Sequence, residues 1–178
     1  MKKILLSLAV ASMAFFNSCT DDILDIKFNV NMVKVTFILP SQTAAGTFDL
    51  DPTKVDLNLD SIAKANNVSI DKIKSAKVHT ASIRILSPND MTFNALSSAS
   101  LSVREHGSGQ ATGKRMCSIS TVPRDVKELN LETSGEDLLP IIKNSFDVWA
   151  TITTTEPIAQ ASTLEATVVF EIVANPTK

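Results

Sequence analysis

The sequence predicts a mainly β protein, folded as an antiparallel β-sandwich with one or two short helices. Two observations favour this fold class. Val, Ile, Thr and Phe recur with a period of two in successive runs, which is the pattern of strands with one buried face. Short polar or proline-containing breaks separate these runs, and only two segments carry helix signals.

The first run begins at Ile26 and changes phase within itself. Its apolar residues form two groups of opposite phase: Ile26, Phe28, Val30 and Met32, then Val33, Val35, Phe37 and Leu39. A one-residue shift of this kind indicates a β-bulge or a strand that crosses between sheets. Pro40 then ends the run.

The later strands follow from the same alternation. A short stretch at 48–50 comes first, and we expect further strands at 76–86, 99–105, 115–122, 126–131, 146–155 and 163–174. The last of these places Leu164, Phe170 and Ile172 on one face, with Glu165 and Glu171 on the other. Such alternation is typical of an antiparallel sheet with one face on the core and one in solvent.

Two short helices interrupt the strands. The first is predicted at 60–67 with its cap at Asp60 or Ser61, followed by one more turn at 69–73. The second is predicted at 136–144 with Ser134 as its cap, where Pro140 must lie in the first turn or break the helix. Around seven strands with such small crossovers indicate a sandwich that is immunoglobulin-like in general architecture.

The N-terminal segment has the order of an export signal. Lys2 and Lys3 are followed by an apolar stretch at 4–16 and by small residues before Cys19. This stretch is too short for a transmembrane helix, which needs about 20 apolar residues. An ordinary secretory signal with an incidental cysteine is the alternative.

The segment Phe16-Asn17-Ser18-Cys19 resembles a bacterial lipobox of the looser, Bacteroidota type. This resemblance implies cleavage before Cys19, a diacylglyceryl group on its sulfur and an acyl chain such as palmitate on its new amino terminus. The expected partner is therefore a lipid bilayer, and several acyl chains would make the tether effectively permanent. No other cofactor is expected.

Acidic residues follow the cysteine. Thr20, Asp21 and Asp22 resemble the surface-export tag of the same lipoproteins, which implies an outer-membrane protein facing the cell exterior. A solvated linker is the alternative, and in some other bacteria an aspartate after the lipidated cysteine marks inner-membrane retention. The expected organisation is a signal peptide at 1–18, a lipidated and acidic tether at 19–25 and one domain at 26–178.

The charge of the mature chain excludes some classes of partner. Removal of Lys2 and Lys3 reduces the 17 basic side chains to 15, against 19 acidic ones, a net charge of −4. An acidic domain of this kind has no electrostatic basis for binding nucleic acid or anionic membrane.

The body of the chain carries a weaker resemblance. The segment 71–78, Asp-Lys-Ile-Lys-Ser-Ala-Lys-Val, and a last strand that ends in Ala174-Asn175-Pro176 are similar to those of uncharacterised small β-sandwich lipoproteins of Bacteroidota-type bacteria. The resemblance implies the fold and the cellular location. It implies no active-site residue.

A glycine-rich segment between two predicted strands is a candidate contact loop. It contains His106, Gly107, Gly109 and Gly113. The spacing does not match a Walker loop, because five residues separate Gly107 from Gly113 and an arginine stands where magnesium needs a Ser or Thr. We therefore expect a hairpin loop and no nucleotide.

Trp149 is the sole tryptophan, and the chain has no tyrosine. Alternation places it opposite the apolar face formed by Phe146, Val148, Ala150 and Ile152. An exposed or half-covered indole would make a binding patch centred on Trp149. The alternative is a ring covered by a loop, by a helix or by the other sheet.

Other chemistry-bearing residues form no recognisable site. His79 and His106 are the only histidines, and no local signature selects a Ser-His-Asp triad. No Cys/His spacing suits zinc. The oxygens of the segment 49–60 could gather around calcium, but the EF-hand pattern is absent and a solvated loop is the simpler interpretation. Cys117 is expected to be a small buried residue, with a reactive thiol or an inter-chain disulfide as alternatives.

These observations predict a non-catalytic, lipid-anchored module for binding, adhesion or an accessory role, with an extracellular glycan or protein as its partner. The first alternative is a periplasm-facing structural or assembly lipoprotein that docks on a membrane-protein complex. A hydrolase built from loop residues is the second alternative. No catalytic residue and no metal ligand is assigned.

Overall fold

The computed structural model describes residues 25–108 and 113–175, with the backbone alone for residues 31 and 32. Nine strands and two short α-helices lie in these ranges. They are β1 (Ile26–Leu39), β2 (Thr47–Asp49), β3 (Thr53–Val55), α1 (Leu59–Ala65), β4 (Ile73–Ser87), β5 (Leu96–Glu105), β6 (Lys114–Ile119), β7 (Glu128–Thr133), α2 (Leu139–Ile142), β8 (Phe146–Thr154) and β9 (Ser162–Ala174).

The strands form two layers joined by β7. Their order is β1-β9-β4-β7-β6-β5-β8-β2, with β3 also paired to β8, and each of these pairs is antiparallel. Residues 128–131 of β7 pair with β4, whereas residues 132–133 pair with β6. The first sheet therefore contains β1, β9 and β4, and the second contains β6, β5, β8, β2 and β3. The predicted antiparallel β-sandwich is confirmed.

The core lies between the two sheets and draws side chains from both. Along β9, buried and half-buried residues alternate without a break, and Phe170 and Ile172 are fully buried. The predicted apolar face of β8 is also buried, with Phe146 and Ile152 inaccessible to solvent. Each such side chain contributes about 1.5–3 kcal/mol through removal from water.

The phase change predicted in β1 is a β-bulge. Val30 pairs with Phe170 and Val33 pairs with Val168, so three steps along β1 match two steps along β9. The extra residue lets Val30 and Val35 both face the core although they are an odd number of residues apart.

The first helix starts elsewhere than predicted. It begins at Leu59, and Asn58 occupies the N-cap position with a φ of 45° and no side-chain cap hydrogen bond. The predicted cap at Asp60 or Ser61 is wrong, because Asp60 lies in the first turn and forms an ion pair with Lys64 at 2.5 Å. The extra turn predicted at 69–73 is confirmed as a 3₁₀ turn over Ile70–Lys72.

The second helix is shorter than predicted. Only Leu139–Ile142 is helical, with Pro140 in the first turn. Ser134 caps no helix, and its hydroxyl instead accepts the N–H of Glu136 at 3.2 Å. Asp137 fixes the segment, because its carboxylate accepts the N–H of Ala76 at 2.9 Å and the N–H of Leu139 at 3.1 Å.

The prediction of around seven strands missed β3. Its three residues, Thr53–Val55, alternate too briefly to show a period. They are placed by pairing with β8, where Thr53 lies opposite Val148 and Lys54 opposite Asp147. Within 25–108 and 113–175, none of the helices has the length and apolar composition needed to cross a bilayer.

Candidate functional site

The outer face of the second sheet carries the candidate site. Along β5 the residues that face away from the core are Ser98, Ser100, Ser102 and Arg104, since Ala99, Leu101 and Val103 are buried inside. Register places Ser102 opposite Trp149 and Arg104 opposite Asp147 on β8. The polar and aromatic residues of the two strands thus form adjoining rows on one surface.

Asp147 is the centre of a polar cluster on this surface. Its residue exposure is 7%. One carboxylate oxygen lies 2.6 Å from Nδ1 of His106, and the other accepts from Nε of Arg104 at 3.4 Å. His106 itself is half-exposed, with 48% of its side chain accessible. A buried carboxylate therefore positions a side chain that reaches solvent.

The pKa of Asp147 reflects competition within the cluster. Burial favours the neutral acid and by itself would raise the pKa. The hydrogen bonds and charges of His106 and Arg104 outweigh burial, so the pKa of Asp147 is held below its ordinary value. Asp147 is thus ionised at neutral pH.

Trp149 is covered rather than exposed. Its exposure is 7%, although it lies on the face opposite the apolar face of β8. The guanidinium carbon of Arg104 lies 5.5 Å from the ring centroid, within cation–π distance. The exposed or half-covered indole expected for a patch centred on Trp149 is therefore wrong, and the covered ring given as the alternative is what the structure shows. Trp149 instead supports Arg104, which in turn contacts Asp147.

The glycine-rich segment connects β5 and β6, as the hairpin prediction expects. Gly107 has a φ of 80°, a conformation that favours glycine. The N–H and the hydroxyl of Ser108 both donate to the carbonyl of Glu105, at 3.1 and 2.7 Å. Gly113 comes directly before β6, and Gly109 lies outside the described residues.

The structure brings His106 and Trp149 together on one surface. Both residues are candidates from the sequence, but for separate reasons. The residues that connect them, Asp147 and Arg104, are not among the candidates predicted from the sequence. The alternation along β8 already places Asp147 beside Trp149, and the same rule applied to β5 would have placed Arg104 and His106 on an outward face.

His106 and Asp147 have the geometry of the orienting half of a catalytic triad. Among residues 25–108 and 113–175, the side chain of His106 is hydrogen-bonded to Asp147. The pair therefore shows how the imidazole is held.

Other candidate residues lie apart from this cluster. His79 is exposed on β4 of the first sheet. Cys117 is buried, as predicted, and burial raises the pKa of its thiol to about 12. Cys19, Asp21 and Asp22 lie outside the described residues.

The acidic segment considered for calcium does not converge. Asp49 accepts from the hydroxyl of Thr151 at 2.6 Å, and Asp56 accepts the N–H of Asn58 at 2.9 Å. No group of three His, Cys, Asp or Glu side chains with metal-binding geometry occurs among residues 25–108 and 113–175.

A shallow depression of about 450 Å³ lies where the edges of the two sheets meet. Its lining comes from the end of β1, the β1–β2 connection and the residues of and after β2: Ile38, Pro40, Gln42, Thr47, Phe48, Asp49, Leu50 and Asp51. It combines exposed apolar surface, such as Ile38 at 60% exposure, with two carboxylates.

Comparison with known proteins assigns this chain to no family. No protein-family model and no curated protein matches it. A structure of Desmodium yellow mottle tymovirus is similar at 14% identity and a TM-score of 0.28, covering 97% of this chain and 95% of the viral one. A carbohydrate-binding module of the β-sandwich superfamily, described as promiscuous in specificity, is similar at 13% identity and a TM-score of 0.33. That match covers 80% of this chain and 54% of the other. Neither likeness is close enough to assign a function.

Proposed function

We propose that this protein is a non-catalytic binding module, anchored in the outer membrane by lipid on Cys19 and facing the cell exterior. Its ligand contacts the outer face of the second sheet, at the end where the β5–β6 loop joins it. The partner is an extracellular glycan or protein.

One observation carries this proposal: the half-exposed imidazole of His106 is fixed by the buried carboxylate of Asp147 at 2.6 Å. A side chain held in this way loses little conformational freedom when a ligand binds, so less of the binding energy is spent on ordering it. Arg104 and Trp149 pack beside Asp147 and hold the supporting layer in place.

The location rests on the N-terminal residues. The lipobox-like segment that ends at Cys19, followed by Asp21 and Asp22, supports a lipid anchor and an outward orientation. A domain on such a tether reaches partners in the medium. A periplasm-facing assembly lipoprotein has the same anchor but opposite exposure.

The experiment is protease digestion of intact cells that carry the wild-type protein, with the folded domain followed by antibody. Two variants accompany it, Cys19→Ala and Asp21→Ala/Asp22→Ala. Digestion of the wild-type domain on intact cells supports outward display, and retention of the Asp21→Ala/Asp22→Ala domain inside would assign the export role to these carboxylates. Protection until the outer membrane is opened would favour the periplasmic alternative.

The His106–Asp147 pair specifically favours one further candidate, a hydrolase. That candidate requires turnover, and the turnover must be lost in His106→Ala. A panel of ester, amide and glycoside substrates, tested with wild type and His106→Ala, separates the two functions. Ligand binding without turnover supports the binding module.

A further inference from the structure

We infer that the depression between the edges of the two sheets is a second interaction site, which takes a short extended peptide with alternating cationic and apolar side chains. This site is separate from the surface around His106. The depression is lined by β2, which pairs with Thr151 and Ile152 of β8, whereas His106 follows the residue that pairs with Phe146 at the other end of β8. The inference goes beyond the proposed function and does not depend on it.

The backbone of β2 forms one wall of the depression. In an antiparallel pair, the N–H and C=O groups of successive residues point alternately toward and away from the neighbouring strand. Gly46 accepts from β8 through its carbonyl and Leu50 donates to β8 through its N–H, both at 2.8 Å. The backbone groups of Thr47 and Asp49 therefore point away from β8, and both residues line the depression. Residues 25–108 and 113–175 supply no strand on that side of β2.

The end of β1 forms the opposite wall in the same way. The carbonyl of Thr36 accepts from the hydroxyl of Thr53 at 3.4 Å, so the backbone groups of Thr36 point away from β9. Ile38, two residues further on, has the same orientation. Among the strands that the structure describes, β1 pairs with β9 alone. The depression thus lies between two strand edges, and an extended peptide can add main-chain hydrogen bonds to such an edge.

The size of the depression fits a few residues of an extended chain. Its volume of about 450 Å³ lies within the range of about 300–1,000 Å³ that is typical of ligand sites. The lining runs along β2 from Thr47 to Asp51, which is four residue steps or about 13 Å. Because the depression is shallow, one face of a bound segment stays in solvent. Four or five residues of an extended peptide match these dimensions.

The alternation along this edge specifies the side chains of the peptide. Phe48 is half-buried and Leu50 is buried, whereas Asp49 and Asp51 are exposed. A peptide paired with β2 follows the same pleat, so its side chains alternate between the apolar and the acidic side. Ile38 adds apolar surface on the other wall and is 60% exposed. Apolar residues are therefore expected at every second position.

The remaining positions of the peptide lie beside negative charge. The lining contains two carboxylates and no cation. Asp49 accepts from the hydroxyl of Thr151 at 2.6 Å, and neither Asp49 nor Asp51 forms an ion pair with another of the described residues. Lys54, the next cation along this edge, lies opposite Asp147 and outside the lining. A cationic side chain can thus reach both carboxylates without displacing an existing partner.

The same charge disfavours a second copy of the chain as the occupant. A symmetric contact between two β2 edges would bring the carboxylates of one copy against those of the other. Like charges opposite each other across a strand pair are destabilising. The segment before β1 is also acidic, with Asp21 and Asp22. The occupant that complements the depression is therefore a cationic segment of another protein.

The test measures binding of fluorescent peptides to the full-length protein in a nonionic detergent, with detergent alone as the blank. The probe is a hexapeptide of alternating lysine and valine with both ends blocked. In one control glutamate replaces lysine, and in a second serine replaces valine. In a third, the backbone nitrogens of the lysines are methylated, because these N–H groups face β2 when the lysines lie beside Asp49. We expect only the unmodified lysine–valine peptide to bind, and its binding should weaken as sodium chloride is raised.

Matched variants locate the contact. Asp49→Asn/Asp51→Asn should weaken binding about tenfold or more, whereas Glu132→Gln, at an exposed carboxylate of β7, should bind as wild type. Ile38→Thr removes exposed apolar surface and should weaken binding about threefold or more. Leu86→Thr is its control, because Leu86 is also exposed but lies outside the lining. Urea unfolding of each variant confirms that it is folded.

Each contrary outcome overturns a named part of the inference. Equal binding of the glutamate or the serine peptide would remove charge complementarity or apolar contact, and equal binding of the methylated peptide would remove strand pairing. No binding at about 1 mM peptide would reject the site. A wild-type dimer in sedimentation that dissociates in Ile38→Thr would assign the depression to a second copy. His106→Ala should bind the peptide as wild type, and a loss of binding in this variant would place the peptide on the other surface.

Discussion

Nδ1 of His106 lies 2.6 Å from a carboxylate oxygen of Asp147, although the two residues are 41 positions apart in the sequence. The contact crosses from the end of β5 to the start of β8. It joins an exposed loop residue to a buried acid, and Arg104 completes the cluster from β5, two residues before His106. The local stability of the candidate site and its behaviour with pH both follow from this relationship.

Replacement of Asp147 by Asn should destabilise the protein. Arg104 would lose its buried anionic partner, and we expect the free energy of unfolding at pH 7 to fall by about 1–3 kcal/mol. Urea denaturation measures this change. Asp49→Asn is the matched control, because Asp49 is an exposed carboxylate on the same face and should cost much less.

The same variant gives a prediction for pH. The pKa of Asp147 is lower in the folded chain than in the unfolded one, so its contribution to stability is complete above the unfolded value of about 3.9 and is lost as the pH falls through the folded value. The stability difference between wild type and Asp147→Asn should therefore shrink as the pH is lowered from 5 toward 2. A difference that stays constant over this range would exclude an ionised Asp147 as its cause.

Tryptophan fluorescence can test whether the indole ring of Trp149 is buried, because Trp149 is the sole tryptophan of the chain. In wild type the buried ring should emit at short wavelength and resist quenching by acrylamide. Arg104→Ala should shift emission to longer wavelength, increase quenching and reduce stability by about 0.5–2 kcal/mol, because both the cation–π contact and the ion pair with Asp147 are lost. Arg124→Ala, in an exposed loop, is the control. Unchanged quenching in Arg104→Ala would show that other groups cover the ring.

Cys117 should be unreactive in the folded protein. Its thiol is buried and its pKa is raised to about 12, so almost no thiolate forms near pH 8. In a Cys19→Ala chain, which leaves a single cysteine, dithionitrobenzoate should react only after urea unfolds the protein. Stability should also fall as the pH rises above about 8.5, because only the unfolded thiol ionises there. Rapid labelling under native conditions would contradict the burial of Cys117.

Because of the bulge in β1, two single-residue deletions in this strand should differ in their effect on stability. Removal of Asn31 takes out the extra residue between Val30 and Val33, which leaves both halves of the strand facing the core in a regular ladder. Removal of Thr36 instead shifts Val35 out of phase with Phe37, so one half must turn its apolar side chains to solvent. Thermal unfolding should show a small loss for the first deletion and severe loss or no folding for the second.

Some elements of the fold could be predicted from the sequence and others could not, for physical reasons. Alternation along β9 and the phase change in β1 are local patterns, so both were predicted correctly. The start of α1 was missed because Asn58, Asp60 and Ser61 are all favoured N-cap residue types. Residue preference alone does not show that Asn58 takes this position, in a left-handed conformation and with its N–H held by Asp56. β3 is too short to show alternation.

The candidate site was predicted only in part for a similar reason. His106 and Trp149 were selectable by residue type and local pattern. Their connection through Asp147 and Arg104 depends on the register of β5 against β8, which includes an irregularity between Leu96 and Ser98. Register of distant strands is fixed by the whole sandwich, so local periodicity does not reveal it.

The most direct test of the candidate site is nitrogen-15 NMR of the two imidazoles, which His79→Ala assigns because the chain has only two histidines. At neutral pH we expect Nδ1 of His106 to carry a proton that is donated to Asp147, and we expect this signature to disappear in Asp147→Ala. His79 lies exposed on the first sheet and should lack this signature. Signals of His106 that coincide with those of His79 in the wild-type protein would contradict a fixed imidazole and, with it, the proposed binding surface.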